Sequence, residues 1–327
     1  QLSSSAFESW LAAAPTDEAV APQYARNLLL EGRALAARGQ IEEARTRYLK
    51  IPSLTGSPGE AGFSPEERFL LADAKFEIAR LEREEAAAVD NHKQSLDLLL
   101  AHDQVDSKSV PCRFRMARGY YELGRLLARS SNPMDATVAY RESVNLYTEL
   151  MREQPQDAGF KLNLAATYNE VASLIHATKP GKEGAKEALE YQNFSIVFLR
   201  KLKEERPEDN GIRLTLVQSL VLNGELQEAS GDDKTAADRV AEAVVLADEL
   251  MAEPMLAAED RLSCQRFGAR AWGVTGVLHE KARKKTEAVE AYGKALAGWE
   301  AAPPDSPLDK TSAEAARSRL AKLKPGE

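Results

Sequence analysis

A three-point pattern recurs along the chain. A small residue is followed twelve positions later by alanine and sixteen positions later by a large apolar residue. Gly124, Ala136 and Tyr140 form one copy, and Gly276, Ala288 and Tyr292 another. Gly32, Ala44 and Tyr48 fit the same frame, as do Gly224, Ala236 and Val240. Ala79, Asn91 and Ser95 make a degenerate copy. A second degenerate copy runs from Ala172 to Ala188, its four extra residues absorbed by Lys179-Pro180-Gly181-Lys182-Glu183-Gly184. The anchors 32, 79, 124, 172, 224 and 276 lie 47, 45, 48, 52 and 52 residues apart, so six copies cover most of residues 17–303. Self-similarity at such a period is the signature of a stacked array, in which neighbours bury one another's apolar faces.

Each copy reads as two helices. Phe114, Ala117, Tyr120, Leu123 and Leu127 recur at helical spacing over 111–129. Val138, Tyr140, Val144, Tyr147 and Leu150 do so over 134–153. Prolines punctuate the boundaries at Pro133, Pro155, Pro207, Pro254 and Pro303-Pro304, because proline lacks the N–H that a helix interior needs. The small anchor and the alanine at +12 are expected to let the paired helices approach closely. The tails also repeat: Leu146-Tyr147-Thr148-Glu149-Leu150-Met151 returns as Leu246-Ala247-Asp248-Glu249-Leu250-Met251, and Pro155 and Asp157 return as Pro207 and Asp209. Residues 53–65 form a polar loop, functional or mobile. Residues 309–323 read as a last helix, which would close the array with a polar face.

Composition agrees. Aromatic residues are 6% and charged residues 29% of 327, a helical-protein profile and not that of a β-sandwich. The 43% hydrophobic content is enough for a core. A net charge of −8 disfavours nucleic acid as a partner. No apolar run approaches membrane-spanning length, so direct membrane insertion is not expected. The chain starts at Gln1, which reads as a mature protein or a cut-out region. Its compartment stays open between cytoplasm and an extracytoplasmic part of a membrane-anchored bacterial protein.

The frame of Tyr120, Leu123, Gly124, Leu127, Ala136 and Tyr140, repeated in Trp272, Gly276, Ala288 and Tyr292, resembles the tetratricopeptide repeat (TPR) over residues 20–303. The period exceeds the roughly 34 residues of a standard repeat, so the helices should be longer, about 15–20 residues each. In this the chain resembles kinesin-light-chain-type repeats and the TPR regions of bacterial serine/threonine kinases. Glu187-Ala188-Leu189-Glu190-Tyr191 and Arg206-Pro207-Glu208-Asp209 carry the second likeness. No kinase signature occurs in the chain itself. The resemblance implies an all-α fold, a right-handed superhelical array of about six antiparallel helix pairs. It implies one repeat domain over 1–303, with a capping helix and tail over 304–327.

Catalytic or metal chemistry finds little support. Cys112 and Cys264 fall at equivalent repeat positions, where other copies have Phe160 and Ile212, so buried thiols are expected. His92, His102, His176 and His279 make no metal-ligand spacing. Neither a nucleophile elbow nor a phosphate loop is present. The expectation is a non-catalytic protein with no cofactor.

The resemblance also implies a binding face, since TPR first helices line a groove. Carried onto this chain, the lining positions include Arg26, Arg33, Phe76, Arg80, Arg83, Arg118, Tyr121, Arg125 and Asn169. The first three copies thus place arginines inside an otherwise acidic protein. Guanidinium forks bind carboxylate and phosphate, so the expected partner is a protein, through an acidic or phosphorylated peptide. The competing reading is that these arginines form salt bridges to neighbouring glutamates. The Lys and Asn set of a chaperone-type carboxylate clamp is missing. The function implied is a scaffold, a docking or sensor region of a larger bacterial signalling protein such as a serine/threonine kinase. Alternatives are a small-molecule sensor and a self-assembling adaptor.

Overall fold

The computed structural model describes Ser9 and residues 20–54, 64–104, 108–130 and 132–324. Most of the polar loop expected at 53–65 lies outside them. The described residues contain thirteen α-helices and no strand. The first helices of the six pairs are α1 (Val20–Ala37), α3 (Pro65–Leu81), α5 (Val110–Arg129), α7 (Ala158–Thr178), α9 (Asn210–Ser230) and α11 (Ala258–Lys281). Their second helices are α2 (Ile41–Lys50), α4 (Glu85–Asp103), α6 (Pro133–Glu153), α8 (Lys182–Glu205), α10 (Asp233–Met251) and α12 (Lys285–Ala301). A last helix, α13 (Pro307–Leu323), follows. Lengths span 10 residues in α2 to 24 in α8 and α11, a wider range than the periodicity suggests.

Local chemistry sets the starts. Ser64 caps α3 in a reciprocal box with Glu67, with Pro65 behind it. Asp157 and Asp209 accept from the N–H groups of Phe160 and Ile212, satisfying otherwise orphaned donors of α7 and α9. The repeated Pro-x-Asp is therefore a stop followed by a start: Pro155 and Pro207 each follow a finished helix, and the aspartate opens the next. Ser306 does the same for α13.

The repeat frame is the packing contact itself. A Cβ added at Gly124 would stand 2.6 Å from the Tyr140 ring, and one at Gly224 would stand 2.6 Å from the Val240 side chain. Gly32 faces Tyr48 and Gly276 faces Tyr292 in the same way. The +12 alanines, Ala44, Ala136, Ala236 and Ala288, are all fully buried. So the anchor leaves a notch, and the +16 side chain fills it.

The chain divides into two compact bodies, Gln1–Leu146 and Tyr147–Glu327, and the division falls within α6. In the N-terminal body, α1 packs on α2 and α3, α3 on α4, and α4 on α5. Its core joins Tyr24, Leu28, Tyr48, Ile51, Leu70 and Ile78. In the C-terminal body, α7 to α12 pack as successive pairs, each helix touching its near neighbours along the chain. There α13 lies on both α11 and α12. Nearest-neighbour packing of helix pairs without strands is the α-solenoid arrangement.

Candidate binding face

The N-terminal body carries eight of the nine expected face residues, and most of its arginines are engaged. Arg33 on α1 crosses to α3, with Nε 2.7 Å from Glu77 and Nη2 3.6 Å from Asp73. Arg80 adds a second guanidinium to Glu77 at 3.2 Å. Glu77 is buried, and the two guanidiniums occupy both of its carboxylate oxygens. Arg26 meets Glu66 at 2.8 Å, Arg125 meets Glu122 at 3.3 Å, and Arg83 approaches Glu42 only to 3.9 Å.

Arg118 differs. Its guanidinium lies 4.7 Å over the Phe76 ring, and among the described residues no carboxylate pairs with it. Phe76 is buried and meets His92 edge-on at 5.2 Å. Tyr121 sits under Arg125 at 5.8 Å and beside Tyr140 at 6.4 Å. The salt-bridge reading therefore holds for most of these arginines. The pairs at Glu77 are built into the fold, whereas the exposed pairs of Arg26 and Arg83 are worth about 1 kcal/mol or less and can exchange partners.

Sequence reasoning missed Arg115. It lies one turn before Arg118 and grips Asp73 with two donors, Nε at 2.8 Å and Nη2 at 3.2 Å. Asp73 is thereby shared between α1 and α5. Arg115 also lies 5.1 Å over Phe69, which contacts His102 at 4.1 Å. The arginine–phenyl–imidazole stack thus occurs twice, because Phe69 and Phe76 are seven residues apart on α3, two helical turns. That spacing was the available signal.

Two of the hollows along these helices share bordering residues. The larger, about 610 Å³, is bounded by Arg26, Leu30, Phe69, His102 and Arg115. The smaller, about 200 Å³, lies between α3 and α5 over Leu99 of α4. Arg33, Asp73 and Arg115 border both.

Asn169, in the other body, does not line an open face, which corrects the expectation from repeat position. It is fully buried, and its Oδ1 accepts from Gln192, Ser195 and Ser219 at 3.0, 3.0 and 2.8 Å. Side chains of α8 and α9 close over it. In the same body, Arg270 on α11 is locked among acids: Glu225 on α9 and Asp309 on α13.

Burial pushes His92 down to about 4, although Glu122 and Glu77 oppose the shift. The unfolded chain takes up this proton near pH ~6.5, while the native state refuses it until about 4. Stability is therefore lost as pH falls through that window. We expect His92→Leu to flatten the pH dependence of urea unfolding between about 6.5 and 4, read by circular dichroism. An unchanged slope would place the acid sensitivity elsewhere.

Cys112 and Cys264 are buried free thiols, Cys264 pushed up to about 11 by burial. Among the described residues, no cluster of three or more His, Cys, Asp or Glu could hold a metal ion. No helix among them is long and apolar enough to cross a membrane.

No family model and no curated protein matches the chain. Solved structures do. The kinesin light chain-like BtubC (BKLC) from P. vanneervenii superposes with a TM-score of 0.54 at 14% identity, over 78% of this chain and 92% of that one. A tetratricopeptide repeat protein from Parabacteroides merdae gives 0.43 at 14%, over 90% and 99%. The TPR protein TTC0263 from Thermus thermophilus gives 0.37 at 16%, over 77% and 98%. The fold is a TPR-type α-solenoid.

Proposed function

We propose that the chain is a non-catalytic scaffold whose N-terminal body binds acidic peptide segments of protein partners along α1, α3 and α5. The observation that carries this reading is the arginine surplus there. Arg26, Arg33, Arg80, Arg83, Arg115, Arg118 and Arg125 stand there, and among the described residues their ion pairs run to five acids, Glu42, Glu66, Asp73, Glu77 and Glu122. The protein as a whole is acidic, so this face is a local reversal of charge. Phe69, Phe76 and Tyr121 give a ligand's apolar groups something to pack against. Carboxylate-rich and phosphorylated segments are both candidate ligands. The likeness to kinase-associated TPR regions supports a place as a docking or sensor region of a larger bacterial signalling protein, such as a serine/threonine kinase.

The test is a peptide array probed with the intact chain and with a variant in which Arg80, Arg83, Arg118 and Arg125 become Gln. Acidic peptides should bind the variant about tenfold more weakly, with a flatter salt dependence. Equal binding by both proteins would make the basic face purely structural.

A further inference from the structure

We propose that the cleft between α3 and α5 is an anchor subsite for a carboxylate carried beside one apolar side chain. This deepens the peptide-binding reading and rests on it. The cleft measures about 200 Å³, with Phe76, Leu99 and Phe114 among its walls and Arg115 and Arg118 at its edge. At roughly 30 Å³ per water it would otherwise hold about six or seven waters against apolar walls. One apolar side chain displaces them favourably.

Charge at the edge selects the anion. Asp73 already holds Arg115 through two bonds and stands 3.6 Å from Arg33, and Glu77 takes the other side of Arg33. The Ser95 hydroxyl is spent on the Ala72 carbonyl at 2.7 Å. Of the three arginines that line the cleft, Arg118 is the one with no carboxylate partner among the described residues. One unspent cation matches one monoanion. A phosphate dianion would need a second guanidinium and would face Asp73. An aspartate alone would satisfy Arg118 but leave the apolar walls uncovered. Two sources supply the chemistry: an acidic side chain next to an apolar residue, or the terminal carboxylate of a chain that ends in one.

Fluorescence anisotropy on the full chain can separate them. Four labelled Gly/Ser-based peptides are compared. The first has Glu-Leu-Glu inside and an amidated end. The second has a C-terminal Leu with a free carboxylate. The third is the first with Leu replaced by Gly. The fourth has phosphoserine in place of both Glu. The first or the second should bind, and the tighter names the source. Loss of Leu should weaken binding about tenfold to a hundredfold. Arg118→Gln should weaken the tighter peptide about tenfold or more, while Arg206→Gln, at an exposed position of the C-terminal body, changes it less than threefold. The peptide arms need no variant, and a circular dichroism melt checks that Arg118→Gln folds.

The subsite is overturned if Gly replaces Leu without loss, if Arg118→Gln binds like the wild type, or if phosphoserine binds tightest. In those cases the broader peptide face still stands, because acidic peptides bind. If no peptide binds, both fall.

Discussion

Arg270→Met will destabilise the C-terminal body by about 3–5 kcal/mol, the cost of leaving buried acids without their cation. Arg270 is only 5% exposed, and it joins three helices. Its Nε donates to Glu225 at 2.9 Å, a second donor grips the same carboxylate, and Nη1 lies 3.8 Å from Asp309 on α13. The acids are nearly as buried as the arginine. Scanning calorimetry should register a fall of roughly 6–20 °C in the melting midpoint. The loss should be greatest at neutral pH and shrink on acidification, because protonated carboxyls tolerate burial. Burial already raises Asp309 above the ordinary carboxylate range, against the pull of Arg270. Converting Glu225 and Asp309 to Leu as well should recover most of the midpoint, since an apolar replacement of a buried ion cluster is often neutral or better. A wild-type melt for Arg270→Met alone would mean that the cluster is not buried in solution.

Gly124→Val should cost the N-terminal body about 1–3 kcal/mol, and Tyr140→Ala about 3–5 kcal/mol. The two positions fill one space. The added Cβ meets the ring at 2.6 Å, and Tyr140 is 1% exposed, so the ring has no room to retreat. Removing the ring leaves a void that a valine partly fills. The double variant should therefore be more stable than the sum of the single losses predicts, by about 1 kcal/mol or more. Urea titrations of the three variants check this. Strict additivity would mean that the repeat frame marks something other than this contact.

That contact explains why so much of the fold was legible. The frame at 0, +12 and +16 is a local constraint: one notch, one alanine and one ring within a single helix pair. It fixes pair after pair wherever it recurs, and the prolines and capping aspartates mark the joints. Cys112 and Cys264 were readable as core residues for the same reason, through their equivalence to Phe160 and Ile212. The binding face was legible only as an arginine pattern. Which arginines are spent depends on carboxylates about forty residues away, as in Arg33–Glu77 and Arg115–Asp73. One-dimensional spacing does not encode such pairings. Arg115 escaped notice because its register differs from that of the usual lining positions. Asn169 was misplaced because the amount of space over a first helix is set by its neighbours: Ser219 and Gln192 close over it, whereas α3 and α5 leave a cleft.

We propose α1, α3 and α5 as a face for acidic peptides. Amide chemical-shift mapping of the intact chain, titrated with a Glu-Leu-Glu peptide at low and at physiological salt, tests it most directly. Shifts should concentrate on α1, α3 and α5 around Arg33, Phe76 and Arg118, and weaken as salt is added. Shifts confined to residues 147–324, or none at peptide concentrations up to about 1 mM, near the weak end of specific binding, would contradict it.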